Sequence, residues 1–410
     1  MRSTKKALRD SVLALLMLVM SVVVSLYCIE AYLRYAFHVS DLIAGFYPLG
    51  NTVASAKIKM VQREYSINLD FNNQGFRDKE FSFERGVERR ILFLGDSFVE
   101  GTGVSVEKRA SNLIEALLQK KEDSRFHVIN AGQLATNPIS YFENFIQFGA
   151  ALKPELVVVG VFMGNDFQNS RAFPVPKNYS VVETYTSRAA KVSIPSFLYF
   201  GYLRTFIIGI YSGNALLVKS EVTENFWNYY FKEKVNKDFY IKKSNIPLLQ
   251  YNTFENLLSK DVVQDFYDGK LNPSYFLSAV HSHEDHAGQL YDAKDLRNVV
   301  NIISVMNDEC IRLGIKLVVV TYPDIFQVAP ALYSRHLLET LHMFDVPKSM
   351  LQLKNLRLKF LSELKMIGIT HIDLTPVLSA NEYYLFDGHL NESGQAVAAQ
   401  LIYSHLKDIL

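Results

Sequence analysis

The chain has 410 residues, 49% of them apolar and 21% charged, a balance that allows a large buried core. Its net charge of +1 comes with no long basic block, which argues against a nucleic-acid footprint. Two cysteines, Cys28 and Cys310, exclude a disulfide framework and are expected as free thiols.

The first element is an apolar span. Ser11 to Ile29 carry no charge and reach about 28 Å as a helix, close to the thickness of a bilayer core. Arg2, Lys5, Lys6 and Arg9 precede the span, and the far side is poorer in Lys and Arg, so the N-terminus is expected in the cytoplasm and the rest outside it. A cleaved signal peptide is the rival reading, but no Ala-x-Ala-like site follows the span. Tyr27 before Cys28 argues against lipoprotein processing, and a buried core helix is the plain alternative. Residues 1–36 are therefore read as an uncleaved anchor and 37–88 as a membrane-proximal connector, with a turn-rich stretch at Asn72–Asp78.

Five short apolar runs then read as strands: Arg90–Leu94, Phe126–Ile129, Leu156–Phe162, Ile315–Thr321 and Thr370–Leu374. Amphipathic segments separate them. Leu113, Ile114, Leu117 and Leu118 share a helical face before the second strand; Val299, Ile302, Ile303, Met306 and Ile311 share one before the fourth. Continuous apolar strands alternating with helices imply a parallel five-stranded sheet covered on both faces, an α/β fold spanning 89–410. About 120 residues, 170–290, interrupt it with a largely helical insertion rich in aromatics, including Trp227, the only tryptophan. Within it, Ile194 to Val218 is apolar but broken by Arg204 and three glycines, which favours helices packed on the domain or at a membrane surface over a second span.

Polar clusters sit at the strand ends or just beyond, where open parallel sheets bind ligands. Strand one runs into Gly95-Asp96-Ser97, strand two into Asn130-Ala131-Gly132 and strand three into Gly164-Asn165-Asp166; Asp387-Gly388-His389 follows strand five. A serine hydroxyl is a weak nucleophile that needs a base, usually a histidine oriented by a carboxylate. Ser97, His389 and Asp387 are the candidates. Asp96 and Asp166 read as structural groups, and Asn391 as the N-cap of a last helix with Val397, Leu401 and Leu406 on its apolar face.

These four blocks resemble those of the SGNH (GDSL-type) hydrolases over about residues 89–169 and 295–408. The anchor followed by an Asn-x-x-Gly-Phe-Arg-like segment resembles membrane-anchored bacterial members. The resemblance implies a three-layer flavodoxin-like fold, a serine esterase that needs no cofactor, and an oxyanion hole made by the N–H of Ser97, the N–H of Gly132 and the side-chain amide of Asn165. One departure stands out: the family's Asp lies three residues before its His, a place held here by Phe386, and Asp387 lies two before. The Gly-x-Ser-x-Gly elbow of α/β-hydrolases is absent.

A second constellation competes. His281-Ser282-His283-Glu284-Asp285-His286 fits the metal string His-x-His-x-Asp-His of metallo-β-lactamase-like hydrolases. That family begins with strands before the string and needs ligands after it, whereas this string closes an insertion and leads into a helix. It is read as a solvated polar turn, with no metal expected. The expectation is thus a single-pass, extracytoplasmic esterase that removes or transfers O-acetyl groups on a glycan. A lipid esterase or thioesterase, or a catalytically silent carbohydrate-binding scaffold, are the alternatives. Sequence leaves the acyl group, the acceptor and the oligomeric state open.

Overall fold

The computed structural model describes residues 2–36, 57–62, 64–84, 86–134, 136–164, 166–169, 293–329, 354–385 and 387–410. Helix α1, Arg2–Ala36, opens the chain, and its segment Arg9–Tyr32 is long and apolar enough to cross a membrane. Leu15, Met17, Leu18 and Met20 along it are exposed, so α1 is not a core helix of the folded unit. Length and composition suit both a membrane span and a signal sequence.

The centre is a five-stranded parallel sheet of β3 (Arg89–Leu94), β4 (Phe126–Asn130), β5 (Leu156–Phe162), β6 (Lys316–Tyr322) and β7 (Thr370–Asp373). Its order is β4-β3-β5-β6-β7, which, counted from the sheet's own first strand, is the 2-1-3-4-5 order of flavodoxin-like folds. The valine runs of β5 and β6 are buried throughout their centres, as strands covered on both faces must be. Alternation along β3 splits the core in two. Ile91 and Phe93 face helices α3 (Ala110–Lys121) and α9 (Glu392–Ile409), meeting Ile114, Leu118, Ile402 and Leu406. Leu92 and Leu94 face the other layer, where α4 (Pro138–Asn144), α6 (Ala293–Arg312) and α8 (Lys354–Met366) contribute Phe142, Ile303 and Phe360. The three-layer α/β expectation therefore holds. Short helices α2 (Ser97–Glu100), α5 (Asp166–Asn169) and α7 (Ile325–Val328) follow the carboxyl ends of β3, β5 and β6.

Several expectations are refined. Five strand ends, on four of the strands, move by one residue. Ile311, assigned to the buried face of α6, is 67% exposed, because the stripe of Val299, Ile303 and Met306 continues to the fully buried Cys310, and the next residue points about 100° away from it. Asn391 does cap α9, its side chain accepting from Gly394 N, but Ala398, Ala399, Ile402 and Leu406 form the centre of the buried face and Val397 and Leu401 its margin. Both cysteines are free, Cys28 exposed and Cys310 buried.

The stretch expected as a connector contains structure of its own. β1 (Lys57–Val61) and β2 (Ser66–Asp70) form an antiparallel hairpin, and Met60, Tyr65, Leu69 and Phe71 pack with Tyr384. Asn72 then folds the next turn, its Oδ1 accepting from Gln74 N and Phe76 N, with Gly75 at φ +84°. Buried Arg77 donates to Gly101 O and Val104 O, and Asp78 pairs with buried Arg109 at 2.9 Å while accepting from Asn130 N at 2.8 Å. This turn therefore clamps the loop after α2 to the end of β4. The insertion at 170–290 and the apolar stretch 194–218 lie outside the described residues.

Candidate active site

Ser97 is placed by a tight reversal at the end of β3. A Cβ on Gly95 would stand 2.3 Å from Val99 Cγ2, so only glycine lets α2 fold back against the strand. Asp96 caps α2, its Oδ1 accepting from Phe98 N at 2.9 Å. Ser97 then takes the first helical position, where a backbone N–H has no intrahelical partner.

His389 comes from the loop between β7 and α9. Tyr383 hydroxyl donates to Pro323 O at 2.8 Å and Tyr384 hydroxyl to Gly103 O at 2.9 Å, tying this loop to the ends of β6 and α2. The imidazole lies 4.9 Å from the Phe98 ring, centroid to centroid. Its Nε2 is 2.7 Å from Ser97 Oγ and its Nδ1 is 2.5 Å from Asp387 Oδ1. Gly388 between them has φ +82°, a left-handed turn that returns the Asp387 side chain to the imidazole in two residues. The shortened spacing is thus accommodated by one glycine.

Electrostatics follow the contacts. Burial pushes the Asp387 carboxyl upward, but His389 and the Tyr65 hydroxyl together hold it below the usual carboxylate value. Burial pushes His389 downward, yet the charge and hydrogen bond of Asp387 outweigh it and raise the imidazole above its ordinary value. Burial lifts Asp96 to about 7. Asp166, also buried, is pushed up, and accepts from Tyr141 hydroxyl and Phe162 N, both at 2.8 Å. Neither faces the serine as His389 does, in keeping with structural roles.

The expected oxyanion groups are placed unequally. Ser97 N lies at the start of α2. A Cβ on Gly132 would stand 2.4 Å from Glu100 N, so this glycine lets β4's end pack directly on the α2 backbone; its own N–H donates to Asn130 Oδ1 at 2.9 Å. Asn130 is a buried hub, its amide also donating to Val99 O and Ser111 Oγ, both at 2.7 Å. Asn165 lies outside the described residues, as do His281, His283 and His286. Among the described residues, no cluster of three or more His, Cys, Asp or Glu side chains is arranged to hold a metal. Sequence reading missed Glu64 and Tyr65, which reach Asp387 from the β1–β2 turn; no local pattern marks them, because their partner lies 322 residues away.

No protein-family model and no curated protein matches the chain. Several solved structures are similar to it over most of its length. They include a protein of the G-D-S-L family described as lipolytic, from Desulfitobacterium hafniense (11% identity, 77% of this chain and 99% of that one, TM-score 0.34). A GDSL-like lipase from Bacteroides thetaiotaomicron (8%, 80% and 93%, 0.35) and an acetyl xylan esterase (10%, 77% and 98%, 0.36) are others.

Proposed function

We propose that this protein is a membrane-anchored serine esterase of the SGNH type, with Ser97 as nucleophile, His389 as base and Asp387 as its orienter. The observation that carries the reading is the continuous hydrogen-bonded chain Ser97 Oγ–His389 Nε2, His389 Nδ1–Asp387 Oδ1, at 2.7 and 2.5 Å. Asp387 fixes the imidazole with its proton on Nδ1, leaving Nε2 free to accept the serine proton. Ser97 Oγ then attacks the acyl carbon, and the carbonyl π electrons move to its oxygen. On collapse the ester C–O bond breaks, and the alcohol leaves with the proton carried by Nε2. Water, or a second hydroxyl, repeats the sequence on the acyl-enzyme with His389 again as base.

The tetrahedral oxygen needs donors, each worth about 3–4 kcal/mol. Ser97 N–H, Gly132 N–H and the Asn165 amide are assigned to it. Gly132 N–H would then be shared between the oxyanion and Asn130 Oδ1.

The finer reading is that α1 is an uncleaved anchor, with its N-terminus in the cytoplasm and the catalytic unit outside, and that the substrate is an O-acetylated glycan of the envelope or an exported polymer. The basic residues ahead of the apolar span, Arg2, Lys5, Lys6 and Arg9, and the aromatic-rich composition of 170–290 support it. Reaction of the full chain with a fluorophosphonate, abolished in Ser97→Ala, tests the esterase. Acetate release from a panel of acetylated glycans against aryl and lipid esters tests the substrate. A folded chain that neither labels nor turns over any ester would leave the silent scaffold.

A further inference from the structure

Asp387 has two carboxylate oxygens, and each has a partner. Oδ1 faces His389; Oδ2 accepts from the hydroxyl of Tyr65 at 2.8 Å. Tyr65 lies in the turn of the β1–β2 hairpin, closed by Gln62 N donating to Tyr65 O at 2.8 Å. The residue before it grips the same loop: the Glu64 carboxylate accepts from Leu385 N at 2.6 Å and from Asp387 N at 3.0 Å. Two consecutive hairpin residues thus hold the backbone and the side chain of one aspartate. The ring of Tyr65 packs on Tyr384 with centroids 4.8 Å apart, so the loop is held by apolar contact as well.

We infer that Tyr65 and Glu64 are positioning residues for the carboxylate of the triad, which makes the membrane-proximal hairpin a working part of the active site. The inference rests on the serine-hydrolase reading above. Its physical reason is orientation. A carboxylate held by one bond to an imidazole can still rotate about its own axis, whereas a second, charge-assisted bond on the other oxygen fixes its plane. The two-residue spacing leaves Asp387 little backbone of its own with which to resist that rotation, and Glu64 supplies the restraint from another element.

Among the described residues, these charged and titratable groups act on the pair. Asp387, Asp96 and Glu100 act on His389; His389, Tyr65 and Glu64 act on Asp387, with Tyr384 beside them. Removing the Tyr65 hydroxyl leaves the Asp387 carboxylate more basic, so the Asp–His pair should hold its proton to a higher pH.

The test uses the full chain in detergent or nanodiscs. Tyr65→Phe keeps the ring and deletes only the donor. Histidine-selective ¹⁵N NMR, with His389 identified by comparison with His389→Gln, follows the imidazole titration whether or not an ester turns over. We expect the His389 midpoint to move upward, the acid limb of kcat/KM to move with it, and kcat on an aryl acetate to fall about tenfold at unchanged KM. A folded Tyr65→Phe with the parental titration and kcat would overturn the inference. A shifted midpoint in a chain that never reacts with fluorophosphonate would support the Tyr65–Asp387 coupling and count against the esterase. Should Tyr65→Phe not fold, Glu64→Gln carries the test: its amide nitrogen cannot accept, one backbone N–H loses its partner, and kcat should fall at constant KM. Unchanged kcat there would also overturn the inference.

Discussion

Ser97 owes its proposed reactivity to a neighbour, and the experiments at this scale follow from that dependence. Ser97→Ala removes the proposed nucleophile and His389→Ala the proposed base; each should lower ester turnover by several orders of magnitude. The double variant should be scarcely worse than either, because the groups act as one unit. Asp387→Ala should be milder, since its proposed role is only to orient the ring. The base must be neutral to accept a proton. Asp387 raises the His389 pKa despite burial, so kcat/KM should rise with pH through an inflection above about 6.5, the ordinary imidazole value, and be lost below it. A pH–rate profile with its acid limb centred well below that value would contradict the charge balance described. Asp78 gives a stability prediction. Asp78→Ala would strand the buried guanidinium of Arg109 and orphan Asn130 N–H, at a cost of about 3–5 kcal/mol, read as a lowered denaturation midpoint.

At the scale of elements, the strands were the most legible part. Short runs such as Leu156–Phe162, rich in valine, read as a strand buried on both faces, and β5 has those bounds. Helix faces were legible to their last turn, where Cys310 and not Ile311 continues the buried face, because one residue along a helix turns the side chain by about 100°. The β1–β2 hairpin escapes a reading of the sequence, although Ile58, Met60, Ile67 and Leu69 alternate with polar residues, because two five-residue strands that follow an apolar span resemble a linker. Close backbone approach was equally hidden. Gly132→Ala would drive a methyl group into the backbone of α2, so we expect both a lower denaturation midpoint and a large loss of turnover. Wild-type values for both would show that β4's end and α2 can separate freely.

For the whole molecule, location turns on one helix, α1. An alkaline phosphatase fused after residue 60 should be active and a reporter that works only in the cytoplasm silent there; the reverse pattern would remove both the external location and the glycan substrate. Recovery of the mature protein without α1 would make α1 a signal sequence and not an anchor.

What the sequence determined by itself was what depends on short-range pattern. The alternation of strands and helices, the apolar span, and serine, glycine and histidine at strand ends all follow from neighbours within a few residues. Even the choice of Asp387 over Phe386 followed from chemistry, since only one of them can orient an imidazole. Tertiary structure decided what depends on distant residues meeting. It brought His389 to Ser97 across 292 positions and Tyr65 to Asp387 across 322. It turned an expected connector into a hairpin and a buried Arg77–Asp78–Arg109 clamp. No local pattern encodes such partners, because a hydrogen bond constrains the geometry of two groups and not the identity of the residues beside either one.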